Sequence, residues 1–224
     1  MSRRSTVLVA LSALALGSCR RDPASPETGE LAHLRLLAGA ASAARVDVRV
    51  DGEMKLTGLP FGQLSAAIDL APGAHSLVVV PAGSIIDVIG RTFLLGPGKI
   101  TTVVAVDSAG GINPVVLSDT GAVAIAGRSK LRVVHLAEQA PPIDVWRTQP
   151  DYPALIRVMF PFPYRAESPY LRSTPGNWSV VVSHAGATDT LAMTGPIAIG
   201  DGHVLSVLLL DKPGGGIQTV VTEP

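Results

Sequence analysis

Residues 34–53, LRLLAGAASAARVDVRVDGE, contain the two apolar runs and the turn that decide the fold class. Leu34–Leu37 and Val46–Val50 have the length and the apolar content of short β-strands. Asp51-Gly52, directly after the second run, is a dipeptide that favours a tight β-hairpin. We therefore predict a hairpin in which Val46–Val50 turns back into a strand at Met54–Thr57.

Short apolar runs separated by Gly and Pro continue along the next part of the chain. They are Ser65–Leu70, His75–Val80, Ile85–Ile89, Thr92–Leu95, Ile100–Val106 and Pro114–Leu117. About seven or eight short strands per hundred residues is the pattern of a β-sandwich. The cysteine pair and central tryptophan of antibody domains are absent. The sequence thus predicts an all-β fold built from antiparallel sandwiches of Ig-like or transthyretin-like architecture.

The strand pattern occurs twice in the chain. Two motifs recur 97 residues later: LRLL at 34–37 as LRVV at 131–134, and VDV at 46–48 as IDV at 143–145. Later matches lie 101 to 104 residues apart, and the shift grows near turns, as expected when two copies diverge by loop insertion. We predict two tandem domains, copy 1 at 32–120 and copy 2 at 129–224, joined by a linker at 121–128.

The residues before copy 1 are typical of an export signal and an attachment point. A basic start is followed by an apolar run at Thr6–Leu16 that is too short to span a bilayer. Leu16-Gly17-Ser18-Cys19 resembles the bacterial lipobox, whose cysteine is lipidated and becomes the N-terminus. Lipidation also explains why an exported chain has a single cysteine. We predict a lipoprotein signal peptide at 1–18, a lipid on Cys19 and a flexible tether at 19–31; an ordinary signal peptide with a chance cysteine is the alternative.

These features predict a cell-envelope protein attached to the membrane through its N-terminal lipid. Arg20 follows the cysteine, whereas an aspartate there often retains lipoproteins in the inner membrane, so the outer membrane is favoured if the organism has one. The 18 basic and 18 acidic residues balance, and no basic block occurs, so nucleic acid is not expected as a partner.

Both copies resemble the DUF4397 domain. Residues 131–135 (LRVVH) and 140–145 (APPIDV) resemble its opening, while residues 70–73 (LAPG) and 101–106 (TTVVAV) resemble later segments. The resemblance covers nearly all of the predicted mature chain, and copy 2 departs from it between Trp146 and Tyr164. It implies an exported bacterial domain of unknown function, with no accepted catalytic residues to carry over.

Catalytic and metal-binding motifs are absent from the sequence, which predicts a protein without enzymatic activity or cofactor. No two of the five histidines have a metal-ligand spacing. The best candidate set is His135 with Glu138 and Asp144, as a metal site or an acid–base group. The alternative is a histidine that ends a strand and bonds to the loop backbone.

Aspartates recur at equivalent positions of the two copies. Asp47 matches Asp144, and Asp107 matches Asp211. Because short carboxylates accept hydrogen bonds from backbone N–H groups in turns, we predict a shared structural role. A calcium site formed by Asp47 with Asp51 and Glu53 is an alternative, although the dense acidic loop of such sites is lacking.

The aromatic residues are distributed unequally, since seven of the nine lie in copy 2. The predicted binding residues are Trp146, Phe160, Phe162 and Tyr164. The last three alternate with prolines, so they would share one face of an extended segment at the edge of a sheet or outside it. Such a surface suits a protein, peptide or glycan ligand in the envelope. Alternatively, the rings fill the core of copy 2 or its contact with copy 1.

The sequence therefore predicts a binding or structural and adhesion module held at the cell envelope. The alternative is an enzyme, or an enzyme's accessory domain, that acts on envelope polymers, and a third option is a mere spacer. A cleft that joins His135 to Glu138 or Asp144 would favour the enzyme. One exposed patch with Trp146 and Phe160 would favour the binding module.

Overall fold

A computed structural model describes residues 30–84, 90–117, 123–149 and 152–223, and every regular element in these ranges is a β-strand. The all-β prediction is therefore confirmed. The predicted signal peptide, Cys19 and the predicted strand Ile85–Ile89 lie outside the described residues.

Copy 1 forms two four-stranded sheets that pack face to face. Its strands are β1 (Ala32–Ala38), β2 (Arg45–Val50), β3 (Glu53–Pro60), β4 (Ile68–Leu70), β5 (Gly73–Pro81), β6 (Arg91–Leu95), β7 (Ile100–Ser108) and β8 (Gly111–Val116). The first sheet has the order β4-β1-β7-β8 and the second β3-β2-β5-β6. A core of aliphatic side chains fills the space between them. It includes Leu36, Val48 and Val103, which are fully buried.

Copy 2 repeats this arrangement. Its strands are β9 (Ser129–Leu136), β10 (Ile143–Gln149), β11 (Tyr152–Phe162), β12 (Leu171–Ser173), β13 (Gly176–Trp178), β14 (Val180–His184), β15 (Ala192–Met193), β16 (Ile197–Ile199), β17 (Val204–Asp211) and β18 (Ile217–Thr222). The first sheet has the order β12-β9-β17-β18 and the second β11-β10-β14-β15, while β13 pairs with β16. The orders of the two four-stranded sheets match those of copy 1, and the β13–β16 pair is additional.

The Asp51-Gly52 turn joins β2 to β3, as the sequence predicts. Both residues have positive φ angles, 52° and 83°, which two-residue hairpins of this kind require. Val50 faces Glu53 across the turn. The hairpin prediction is confirmed, and the turn fixes the register of the second sheet of copy 1.

One strand pair in each first sheet is parallel, which the sequence analysis did not predict. β1 runs parallel to β7, and β9 runs parallel to β17. The other strand pairs of the described residues are antiparallel. All eight residues of β17 are buried, and strands covered on both faces are typically continuous apolar runs. The local pattern encodes this burial but not the direction of the partner strand.

A third core lies between the two copies and explains this burial. It is formed by aliphatic side chains from or beside the two first sheets: Leu37, Val104, Val106, Leu117, Val134, Leu136, Leu208 and Leu210. Gly39 marks a close approach, because an added Cβ would lie 3.0 Å from the Ala105 carbonyl oxygen and 3.1 Å from Leu210 Cδ2. The first sheets therefore stack back to back, each with one face toward its own core and one toward the other copy.

Candidate binding surface

The outer face of the second sheet of copy 2 carries a row of side chains that crosses all four strands. Arg157 on β11 faces Trp146 on β10, which faces Val181 on β14, which in turn faces Met193 on β15. Neighbouring residues such as Val145 point the opposite way into the core, because successive side chains of a strand alternate between faces. The row therefore lies on the surface away from both the core of copy 2 and copy 1.

Large apolar side chains are exposed along this row. Phe160 is 60% exposed, Met193 59% and Leu155 49%. We define the aromatic face as the surface formed by Trp146, Leu155, Arg157, Phe160, Val181 and Met193. Single exposed apolar residues are common, whereas neighbouring ones on one face mark an interaction surface.

Hydrogen bonds and ring contacts hold the centre of the aromatic face in place. The Arg157 guanidinium lies 4.3 Å from the Phe160 ring centroid and 5.5 Å from that of Trp146. Its Nη1 donates to Asp144 Oδ2 at 3.2 Å, and the Trp146 Nε1–H donates to Ser183 Oγ at 2.9 Å. Side chains fixed in this way lose little conformational entropy when a ligand binds.

A cavity of about 220 Å³ opens beside Trp146. Its lining consists of Trp146, Leu155, Val181, Thr188, Asp189 and Thr190. The three apolar residues come from strands, and the three polar residues come from the loop between β14 and β15. The cavity thus has an apolar floor and a polar rim, the usual composition of a small-molecule site.

Asp189 is oriented on this rim by His184. The His184 backbone N–H donates to Asp189 Oδ1 at 3.1 Å, and the His184 ring Nδ1 lies 2.5 Å from Oδ2. The side-chain hydrogen bond from His184 lowers the pKa of Asp189 below its ordinary value. The cavity therefore presents an ionised carboxylate in a fixed position at neutral pH.

Only two of the four predicted aromatic residues lie on the aromatic face. Trp146 and Phe160 do, but Phe162 is 4% exposed and packs in the core of copy 2. Tyr164 is half-buried and meets the His135 ring edge-on, with centroids 6.1 Å apart. The prediction that Phe160, Phe162 and Tyr164 share one face is therefore wrong.

A bulge in β11 explains why Phe160 and Phe162 lie on opposite faces of the strand. Ile143 faces Phe162 and Val145 faces Met159, so two steps on β10 correspond to three on β11. The extra residue reverses the alternation of side chains, which sends Phe160 outward and Phe162 inward. The prolines had suggested an edge position, and β11 is indeed an edge strand.

The structure does not bring His135, Glu138 and Asp144 together. His135 is 2% exposed and stacks on Phe162 with ring centroids 5.9 Å apart, while its Nδ1 accepts the Ala137 N–H at 3.3 Å. Burial lowers its pKa to about 4, so the ring is neutral. Asp144 instead binds Arg157 on the outer face. Within the described ranges, no group of three His, Cys, Asp or Glu side chains could hold a metal ion.

The repeated aspartates bind loop backbone, as predicted. Asp47 accepts the Gly58 and Gly83 N–H groups at 2.7 and 3.0 Å, which lowers its pKa. Asp144 accepts the equivalent Gly186 N–H at 2.9 Å. Each carboxylate thereby ties the second sheet to a turn.

In the first sheets, Asp107 and Asp211 likewise accept hydrogen bonds from loop backbone N–H groups. Asp107 accepts the Ser42 N–H and hydroxyl, and Asp211 accepts the Glu138 and Gln139 N–H groups at 2.9 and 3.0 Å. In the alternative calcium set, Asp51 binds His75 and Glu53 binds Lys55.

A second concavity of about 650 Å³ lies where the two copies meet. It is lined by loop residues of both: Ala41, Ser42, Asp107, Ser108, Gly111, Gln139, Lys212, Pro213, Gly214 and Gly215. Burial raises the pKa of Asp211, and the nearby Asp107 and Glu138 carboxylates add to the effect. The repetition of Asp107 as Asp211 is visible in the sequence. That these two aspartates lie near each other at this concavity depends on how the copies stack.

The aromatic face also contains residues that the sequence pattern did not predict. Leu155, Arg157, Val181 and Met193 join Trp146 only through strand pairing. Alternation along β11 could have indicated that Leu155 and Arg157 share a face. The partners on β14 and β15 depend on register, which one sequence does not reveal.

Comparisons with known proteins give a matching family. The profile described as "Domain of unknown function (DUF4397)" matches residues 32–146, just over half of the chain. Curated proteins give no match. The described part of the chain has no apolar helix long enough to cross a bilayer.

Three solved structures match only loosely. The Bacillus anthracis TIE protein is 11% identical, with a TM-score of 0.28, over 82% of this chain and 34% of its own. A leucine-rich repeat protein of Bacteroides thetaiotaomicron is 10% identical, with a TM-score of 0.23, over 79% and 26%. A candidate adhesin of Bacteroides ovatus is 10% identical, with a TM-score of 0.24, over 87% and 94%. The chain spans about a third or less of the first two proteins, and likeness at this level supports no inference about function.

Proposed function

The chain belongs to the DUF4397 family, whose function is unknown, and we propose that it is a lipid-anchored cell-envelope protein that binds another envelope molecule without catalysis. The binding surface is the aromatic face of copy 2. Copy 1 and the tether carry this surface away from the membrane. The ligand is a protein, peptide or glycan of the envelope.

The observation that supports binding is the exposure of Phe160, Met193 and Leu155 around a fixed Trp146. Removing apolar surface from water is favourable by about 25 cal/mol per Å². Interfaces depend on a few rigid aromatic and arginine side chains at their centre. The stack of Trp146, Arg157 and Phe160 has this composition, and the Arg157 guanidinium lies against both rings.

The enzyme alternative lacks a comparable observation. A cleft that joins His135 to Glu138 or Asp144 would have favoured it, but His135 packs on Phe162 in the core. Asp144 lies on the outer face of β10 with Arg157. We therefore favour binding over catalysis on envelope polymers.

The lipid anchor rests on the lipobox at Leu16–Cys19. About a dozen residues separate Cys19 from the start of β1, a reach of at most roughly 45 Å. Replacing Cys19 by Ser removes the acylated thiol, so we expect the protein to leave the membrane fraction. Immunoblots of membrane and soluble fractions check this, and continued membrane association of Cys19→Ser would refute the anchor.

Binding is tested by photo-crosslinking in living cells. A photoreactive amino acid replaces Phe160 in the full chain, and a second strain carries it at Met54. Met54 is a matched control, because it faces Arg49, the counterpart of Trp146 on the outer face of copy 1, and is 45% exposed. We expect an adduct from position 160 and none above background from position 54.

A further inference from the structure

The cavity beside Trp146 combines two kinds of surface in a small space. The Trp146 ring, Leu155 and Val181 supply apolar contact area. Thr188 and Thr190 supply hydroxyl groups, and Asp189 supplies a carboxylate. A matching ligand needs a carbon–hydrogen surface on one side and several hydrogen-bonding groups on the other.

Charge at the cavity disfavours an anionic ligand. The six lining residues contain one carboxylate and no cation, so an anion would be repelled by Asp189. His184 already partners the Asp189 carboxylate, and the nearby Arg157 is paired with Asp144, so neither charge needs an ionic ligand as its partner. A neutral ligand with hydroxyl groups avoids the repulsion from Asp189.

Asp189 retains acceptor capacity for such a ligand. A carboxylate offers about four lone-pair sites. His184 bonds to the carboxylate through its backbone N–H and its ring, and the Asp189 backbone N–H also donates to it. Hydrogen bonds to a charged acceptor are stronger than neutral ones. The free sites can therefore accept ligand hydroxyls while His184 keeps the carboxylate oriented.

An extended peptide fits this surface less well. Peptides often bind by adding a strand to a sheet edge, and the two edges of this sheet are β11 and β15. β11 contains Pro161, which has no N–H to donate, and β15 is only two residues long. Neither edge offers a continuous ladder of backbone hydrogen bonds.

We propose that this cavity binds one ring of a neutral glycan, stacked against Trp146 and hydrogen-bonded to Asp189. The proposal rests on the binding function of the aromatic face and specifies its ligand class. A sugar ring has a carbon–hydrogen face and a rim of hydroxyls, and about 220 Å³ accommodates a single ring. Phe160 and Met193, outside the cavity, would contact adjoining parts of the polymer or its carrier.

The test is titration of the full chain with defined oligosaccharides, in a detergent without a sugar headgroup. The probes are neutral hexasaccharides of glucose, mannose and N-acetylglucosamine, with a hexamer of galacturonic acid as the charged comparison. Intrinsic tryptophan fluorescence is the readout, because the second tryptophan, Trp178, is only 4% exposed. We expect a saturable change with at least one neutral probe below about 10 mM and not with the charged one.

Variants assign the signal to the cavity, with calorimetry as the readout where Trp146 is replaced. Trp146→Ala and Asp189→Asn should each weaken binding more than tenfold, whereas Met54→Ala, on the outer face of copy 1, should leave the affinity unchanged. Circular dichroism confirms that each variant is folded. Binding that survives Trp146→Ala, or saturation by the charged hexamer alone, would overturn the proposal.

The crosslinking experiment separates failure of this inference from failure of the proposed function. If no neutral probe binds but position 160 still forms an adduct, the aromatic face binds a ligand and the glycan assignment is wrong. If position 160 forms no adduct and no probe binds, both proposals fail.

Discussion

His135 is a buried titratable side chain whose counterpart in copy 1 is Ala38. Its ring packs between Phe162 and Tyr164, and burial lowers its pKa from 6.5 to about 4. The unfolded chain therefore binds more protons than the folded chain between these values. Stability from this site is complete above pH 6.5 and is lost as the pH falls toward 4.

We predict that acidification from about pH 7.5 to about pH 5 costs the wild type about 1–2 kcal/mol through His135. The His135→Gln variant lacks this contribution, so its stability should depend less on pH. Urea unfolding at both pH values measures the difference. Equal pH dependence of variant and wild type would show that His135 is not the group responsible.

His75 provides a contrasting control. Hydrogen bonds to Asp51 and to the Ala71 carbonyl raise its pKa, so its contribution is present at low pH and is lost as the pH rises through the raised pKa. His75→Gln should therefore change the pH dependence in the opposite direction from His135→Gln.

The edge strand β11 determines the shape of the aromatic face. Its bulge turns Phe160 outward, and Arg157 links that ring to Trp146 and to Asp144. Asp144 is 1% exposed. Loss of Arg157 would therefore leave a buried carboxylate without its cation and two rings without their common contact.

We predict that Arg157→Ala lowers the free energy of unfolding by about 1–3 kcal/mol. The value is below that of a fully buried pair, because Arg157 is 39% exposed and solvent screens its charge. Chemical denaturation measures the change. Arg172→Ala, an exposed arginine on edge strand β12, is the control and should change stability by less than about 0.5 kcal/mol. Equal effects would exclude a special role for the Arg157 contacts.

For the strands, the sequence predicted those features that depend on neighbouring residues of the same segment. The Asp51-Gly52 hairpin, the short apolar runs and the edge position of Pro161 follow from turn geometry and hydrogen-bonding capacity. The bulge opposite Ile143–Val145 did not follow, because it depends on β11 and β10 together. The row from Arg157 to Met193 was missed for the same reason.

The third core is the feature that joins the two copies. Leu208 and Leu210, on β17, are both 0% exposed although they point away from the core of copy 2. The internal repeat predicted two similar pairs of sheets. It did not predict that the first sheet of copy 1 stacks on the first sheet of copy 2. That arrangement follows from strands that are apolar on both faces. Residues 204–210 show this pattern in the sequence, but not which surface covers the second face.

We predict that residues 129–224, expressed alone, fold cooperatively but associate through the face that copy 1 normally covers. Exposed Val134, Leu136, Leu208 and Leu210 would otherwise form a contiguous apolar patch. Light scattering after size exclusion should show a dimer or larger species. Adding a separately expressed chain of residues 32–120 should convert it to a one-to-one complex of copy 1 with copy 2. A stable monomer would mean that the third core contributes little.

For the whole molecule, we propose that copy 2 contacts an envelope ligand through its aromatic face. This contact is measured by the crosslinking yield in living cells with the photoreactive residue at position 155, 160 or 193, each compared with position 54. We predict a discrete adduct at the three aromatic-face positions that disappears when Trp146→Ala is added. Yields no higher than at position 54, or adducts unaffected by Trp146→Ala, would contradict it.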